Sequence, residues 1–109
     1  MSGVIELRVY CLKPGVRDAF EQRFEQAIRP MLERRGIKVL AAMPSLHDEQ
    51  GFTLVRASAS VEQREAQLAD FYHSIEWRMQ HSAAVTDMIE QYDTCVVDAD
   101  RLAEAIANR

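Results

Sequence analysis

The chain has 109 residues, 48% hydrophobic and 28% charged, which fits one soluble domain. Its formal net charge of -4 leaves no basic stripe for phosphates, so nucleic acid is not an expected partner. No apolar run is long enough to span a bilayer, and Glu6 and Arg8 stand where a signal peptide needs an apolar core. The expectation is a cytoplasmic protein.

Val4 to Leu12 alternates and reads as the first strand. Ile5, Leu7, Val9 and Cys11 share one face, and Glu6, Arg8 and Tyr10 share the other. Pro14-Gly15 ends it. Val16 to Arg35 follows as a long amphipathic helix, with Phe20, Phe24, Ile28, Met31 and Leu32 at helical spacing. Pro30 removes one hydrogen bond inside it and predicts a kink in the last turns. Gly36 fits the C-cap.

Ile37 to Met43 reads as a second strand and Phe52 to Ala59 as a third, joined by the polar segment Ser45 to Gly51. Phe52, Leu54, Arg56 and Ser58 lie on one face of that third strand. Ser60-Val61-Glu62-Gln63 has the form of a capping box, so a helix starts near Val61 and buries Leu68 and Phe71. Ser74 restarts or re-aims it, and Trp77 to Ile89 continues mostly helical. Tyr92 to Val97 reads as the fourth strand and Asp98 to Arg109 as a short terminal helix.

The order is strand, helix, strand, strand, helix, strand. It predicts an α+β, ferredoxin-like βαββαβ fold with a four-stranded antiparallel sheet and helices on one face. The other face stays open, and the expectation places Glu6, Arg8 and Tyr10 on it. Two such faces meeting across a two-fold axis close a barrel, so a homodimer is expected.

Several side chains carry candidate chemistry. Arg8 and Tyr10 share a face and form either an anion or carbonyl clamp or an ion pair at a subunit contact, the more common use. Among the three histidines, His73 is a candidate for catalysis. His47 in its loop reads as a solvated side chain or, beside a pocket, a general base. Asp70, His73 and Glu76 are three apart, yet acids on a helix surface are usually solvated, and no metal site is expected. Trp77, the sole tryptophan, walls a pocket or anchors a helix on the core. Phe24 and Arg56 complete the candidate ligand-binding set. Cys11 and Cys95 read as small buried hydrophobes. No Gly-rich loop or nucleophile elbow is present, and no cofactor is expected.

These residues also carry a resemblance. Glu6-Leu7-Arg8, Tyr10 and Leu12-Lys13-Pro14-Gly15 resemble the opening signature of NIPSNAP-type domains. Ser60, Arg64-Glu65 and Glu76-Trp77 resemble a second family patch. There the family form has an Asp-Pro-Glu-Trp-like turn where this chain has Ser74-Ile75-Glu76-Trp77. The resemblance covers about residues 4 to 98 and implies a dimeric α/β barrel over 1-98, with 99-109 as a helical extension. It implies little chemistry. Relatives by fold include cofactor-independent monooxygenases, small cyclases, isomerases and haem-handling proteins. The expected role is to bind or transform a small hydrophobic or aromatic metabolite without cofactor. The alternative is a non-catalytic protein-interaction module.

Overall fold

The computed structural model describes residues 3–108. Strands β1 (Val4–Leu12), β2 (Lys38–Pro44), β3 (Gly51–Ser58) and β4 (Ile89–Asp98) form one sheet in the order β2-β3-β1-β4. Every neighbouring pair is antiparallel, the ferredoxin-like arrangement expected from the element order.

The first helical region divides in three. Helix α1 (Arg17–Arg23) leads through a π-helical turn, Phe24–Ile28, into α2 (Arg29–Arg34). Pro30 lies in the first turn of α2. It has no N–H for the carbonyl of Gln26, four residues back, and its ring crowds that carbonyl. The disturbance expected at the last turns therefore falls upstream, as a wide turn. Leu32 then accepts from the Ile37 N–H (3.0 Å) and Glu33 from the Gly36 N–H (3.1 Å), with Gly36 at φ 82°. This is a Schellman closure that favours glycine.

Helix α3 (Val61–Tyr72) starts where the capping pattern put it. Ser60 Oγ accepts from the Gln63 N–H at 3.0 Å. The Gln63 side chain reaches back to the Ala59 N–H (2.7 Å), one residue before the cap. The chain breaks after Tyr72, and Ser74 Oγ caps the restart by accepting from the Trp77 N–H at 3.2 Å. A second π-helical turn, Trp77–His81, precedes α4 (Ser82–Asp87). β4 begins at Ile89, earlier than its alternation suggested, and carries an irregular register opposite Cys11 and Leu12. Asp98 caps the last helix, α5 (Ala99–Ala107).

Two expectations are overturned. Cys95 is exposed rather than buried, and Cys11 is only partly buried. The Glu6, Arg8 and Tyr10 face of β1 does not look outward: Tyr10 and Leu12 belong to the core cluster with Phe20, Phe24, Phe52 and Phe71. Opposite residues of antiparallel strands share a face, so Glu6 and Tyr10 face inward with Arg56 and Phe52. The open face instead carries Leu7, Val9, Cys11, Val55, Ala57 and Met43. Val9 is 51% exposed and Met43 50%. The reason is pairing. Glu6 and Arg56 are each only 2% exposed and neutralise one another, which lets a polar strand face sit inside.

Candidate functional site

Between the inward sheet face and the helices lies a polar centre built on Glu6. Its carboxylate meets three guanidinium groups. Arg56 Nη2 is 2.8 Å from Oε2, while Arg8 Nη2 and Arg64 Nη2 are each 3.1 Å away. Arg56 Nε also donates to Oε1 at 2.9 Å, completing a two-pronged pair. Burial alone would raise the Glu6 pKa. The hydrogen bonds from Arg56 and Arg64, with the fields of Arg56 and Arg8, outweigh it and hold the carboxyl at about 2. Burial likewise opposes the charge on Arg56, yet the Tyr72 and Glu6 oxygens beside it raise its pKa. Glu6 and Arg56 face each other across the β1–β3 register, fifty positions apart in sequence.

Arg8 extends this centre towards solvent. It donates to Tyr72 Oη (3.2 Å) and Thr94 Oγ1 (3.2 Å), and its guanidinium carbon lies 4.7 Å from the Tyr92 ring centre. Tyr10 is almost fully buried. Burial first, and the neighbouring Tyr72 second, push its phenol up to about 12, although Arg8 pulls the other way. Tyr10 is thus a neutral hydroxyl at any ordinary pH.

Two cavities flank these groups. A void of about 30 Å³ is walled by Phe24, Ile28, Phe71 and the buried Arg56, among others. A wider cleft of about 570 Å³ opens beside it, walled by Arg8, Tyr10, Tyr72, His73, Trp77 and Tyr92 together with smaller side chains of α3, α4 and β4. Its size is that of a small-molecule site. The two cavities share Tyr10, Tyr72, Trp77 and Val85 as walls. The cleft takes in all three tyrosines and the single tryptophan of the chain. Trp77 is 8% exposed and stands edge-on to Tyr72, with ring centres 5.2 Å apart. It both anchors its helix and walls the cleft.

Both π-helical turns serve this region. Phe24 and Ile28 come from the first and Trp77 from the second. Arg23, entering the first turn, donates to the Gln80 carbonyl in the second at 2.8 Å and thereby ties the two together. π turns are frequent where a helix shapes a site.

The six residues singled out from sequence divide between the cavities. Arg8, Tyr10, His73 and Trp77 line the cleft, and Phe24, Arg56, Tyr10 and Trp77 the small void. His73 is exposed on the cleft rim. His47 lies exposed in its loop, with Nδ1 3.5 Å from Ser45 Oγ, outside both cavities. Asp70 and Glu76 turn away from His73 to Arg35 (2.8 Å) and Arg34 (3.0 Å). Among the described residues no three His, Cys, Asp or Glu side chains converge as a metal site would require. Partial burial and the nearby Glu90 raise the Cys11 thiol pKa, against a reactive thiolate.

Glu6, Arg64, Tyr72 and Tyr92 belong to the site although the sequence pattern does not mark them as candidates. Glu6 and Arg8 share a strand face, which was a usable signal. The reach of Arg64 from α3 depends on tertiary packing and left none.

The family model for NIPSNAP matches residues 5–99. Among solved structures, an uncharacterized NIPSNAP-like domain protein from Burkholderia xenovorans superposes with a TM-score of 0.80 at 14% identity, over 87% of this chain and 83% of that one. A NIPSNAP family protein of unknown function from Agrobacterium tumefaciens gives 0.80 at 18%, over 88% and 86%. A protein assigned as an antibiotic biosynthesis monooxygenase from Bordetella bronchiseptica gives 0.69 at 20%, over 89% and 96%. No curated protein matches the chain. At these identities the superpositions establish the fold alone.

Proposed function

This chain belongs to the NIPSNAP family, and on that premise we propose that it is a homodimer whose subunits each bind a small apolar or aromatic molecule between sheet and helices. The observation that carries the reading is the cleft of about 570 Å³, where aromatic walls meet a few converging polar groups. The exposed apolar sheet face supports pairing, since a second copy would cover Leu7, Val9, Val55 and Met43 at once. The domain then spans 1-98, with 99-109 as an extension, and works in the cytoplasm.

If the bound molecule is transformed, the chemistry is cofactor-free: proton movement, or oxygenation of an easily oxidised substrate, as the monooxygenase-like fold relative invites. In that case Arg8 and Tyr10 would polarise a carbonyl, and His73 would exchange a proton at the rim, since all three line the cleft. The rival reading, an interaction module, expects a region filled by side chains, and the open cleft favours ligand binding over it.

Native mass spectrometry of the protein from its own cells tests this. A dimer carrying a small molecule lost on denaturation is the expected result. A monomer, or a dimer that stays empty after incubation with a panel of aromatic metabolites, would overturn it. Trp77→Ala should lower ligand occupancy at least tenfold, an effect of about 1.4 kcal/mol or more.

A further inference from the structure

The charges around the cleft do not balance. Arg8, Arg56 and Arg64 converge on one carboxylate, Glu6. Among the described residues no other acidic group lies within ion-pair distance of the three. The centre therefore holds three positive groups against one negative, with Arg56 almost wholly buried. Uncompensated charge away from water is costly. The nitrogen Nε of Arg64 is also buried without a partner.

The cleft walls have the same bias. They offer the Arg8 guanidinium, the His73 imidazole, three phenols and the hydroxyls of Ser82 and Thr86. They include no Asp or Glu. Yet the chain carries 17 acidic residues against 13 basic ones. An acidic protein that keeps every carboxylate off one aromatic cleft has left that cleft free for an anion. Arg8 is the cation at its surface, held in place by Glu6, Tyr72, Thr94 and the Tyr92 ring.

Resting on the ligand-binding reading above, we propose that the occupant is a carboxylic acid with a flat or alkyl apolar body. Its carboxylate lies against Arg8 and the Tyr10 and Tyr72 hydroxyls. Its body lies between Trp77, Leu68 and Ile89. The planar fork of a guanidinium matches a carboxylate, and a neutral phenol donates to one. The anion makes good the missing negative charge, so head and body are recognised by different walls.

Calorimetry on the intact protein tests this with two matched pairs: 2-naphthoate with 2-naphthamide, and decanoate with decanamide. The acids should bind about tenfold or more tightly than the amides, as charge-assisted hydrogen bonds imply. Arg8→Gln, which keeps an amide N–H donor without the charge, should weaken the acids about tenfold or more and the amides distinctly less, so that the preference falls towards one. Tyr72→Phe spares the Glu6 pairing and should narrow the preference about threefold, which keeps the test open if Arg8→Gln fails to fold. Equal binding of acid and amide would overturn the anion assignment and leave the ligand cleft standing. Binding of neither member of either pair would overturn both. An acid preference that survives in the folded variants would overturn the placement of the head group at Arg8.

Discussion

The two faces of the sheet invert the usual division of labour. The inward face buries a glutamate and an arginine beside Leu12, Phe52 and Leu54. The outward face leaves Val9 and Met43 half exposed. On the inward side, the buried carboxylate of Glu6 is tolerated because Arg56, Arg8 and Arg64 hold it. On the outward side, Ile5 is buried within the subunit while Val9 and Met43 remain half exposed. Alternation along a strand therefore reports that two faces differ, while partners decide which one is inside.

The largest expected effect comes from breaking the inward pairing. Glu6→Gln strips the shared counter-charge from three arginines and should destabilise the fold by about 3–5 kcal/mol, measured by urea unfolding. Acid should do the same more gradually. The Glu6 pKa is about 2 when folded and about 4.3 when unfolded. The unfolded chain thus binds the proton first, and the contribution of Glu6 is complete above pH ~5. It fades as pH falls towards 2, a loss of about 3 kcal/mol in all, readable from melts in pH steps. Absence of any such loss in the wild type, or its persistence in Glu6→Gln, would break the assignment.

The outward face should respond in another currency. Val9→Glu sets a second acid beside Asp93 on an exposed position. It should cost the isolated subunit about 1 kcal/mol or less, yet shift the mass seen by light scattering from dimer to monomer. Unchanged dimerisation would move the interface off this face. The smallest effect belongs to the solvent-side pair Arg34–Glu76, where the arginine side chain is 63% exposed. Arg34→Ala should change stability by under about 1 kcal/mol and leave ligand affinity untouched.

Much of this was legible because it is local. Strand β1, the cap at Ser60 and the glycine closure at Gly36 follow from neighbours in sequence, and their signals held. The orientation of β1 was not legible. It turns on Glu6 meeting Arg56, two residues brought together only by strand pairing. Hydrophobicity alone pointed the other way, since Ile5, Leu7 and Val9 look like core. For the site, Arg8 and Tyr10 were recognisable as a pair, but the side of the sheet they serve was not. Arg64 and Tyr72 join them through the docking of α3. The π turns were hidden because Phe20, Phe24 and Ile28 keep a four-residue spacing that an ordinary helix would also show.

Those π turns carry a consequence for how the cavity can change over generations. A π turn is what a single inserted residue leaves in an α-helix. The extra residue is absorbed in the turn itself, so Ile28, Met31 and Leu32 stay in phase with Phe20 and Phe24 and join the same core. Deleting one residue there, Gln26 for example, together with replacing Pro30, would let the regular winding resume with that apolar stripe still facing the sheet. The wall of the cavity can thus gain or lose a residue at this point while the packing on either side keeps its register. A one-letter gap there in an alignment would mark a relative whose chamber differs at the turn alone.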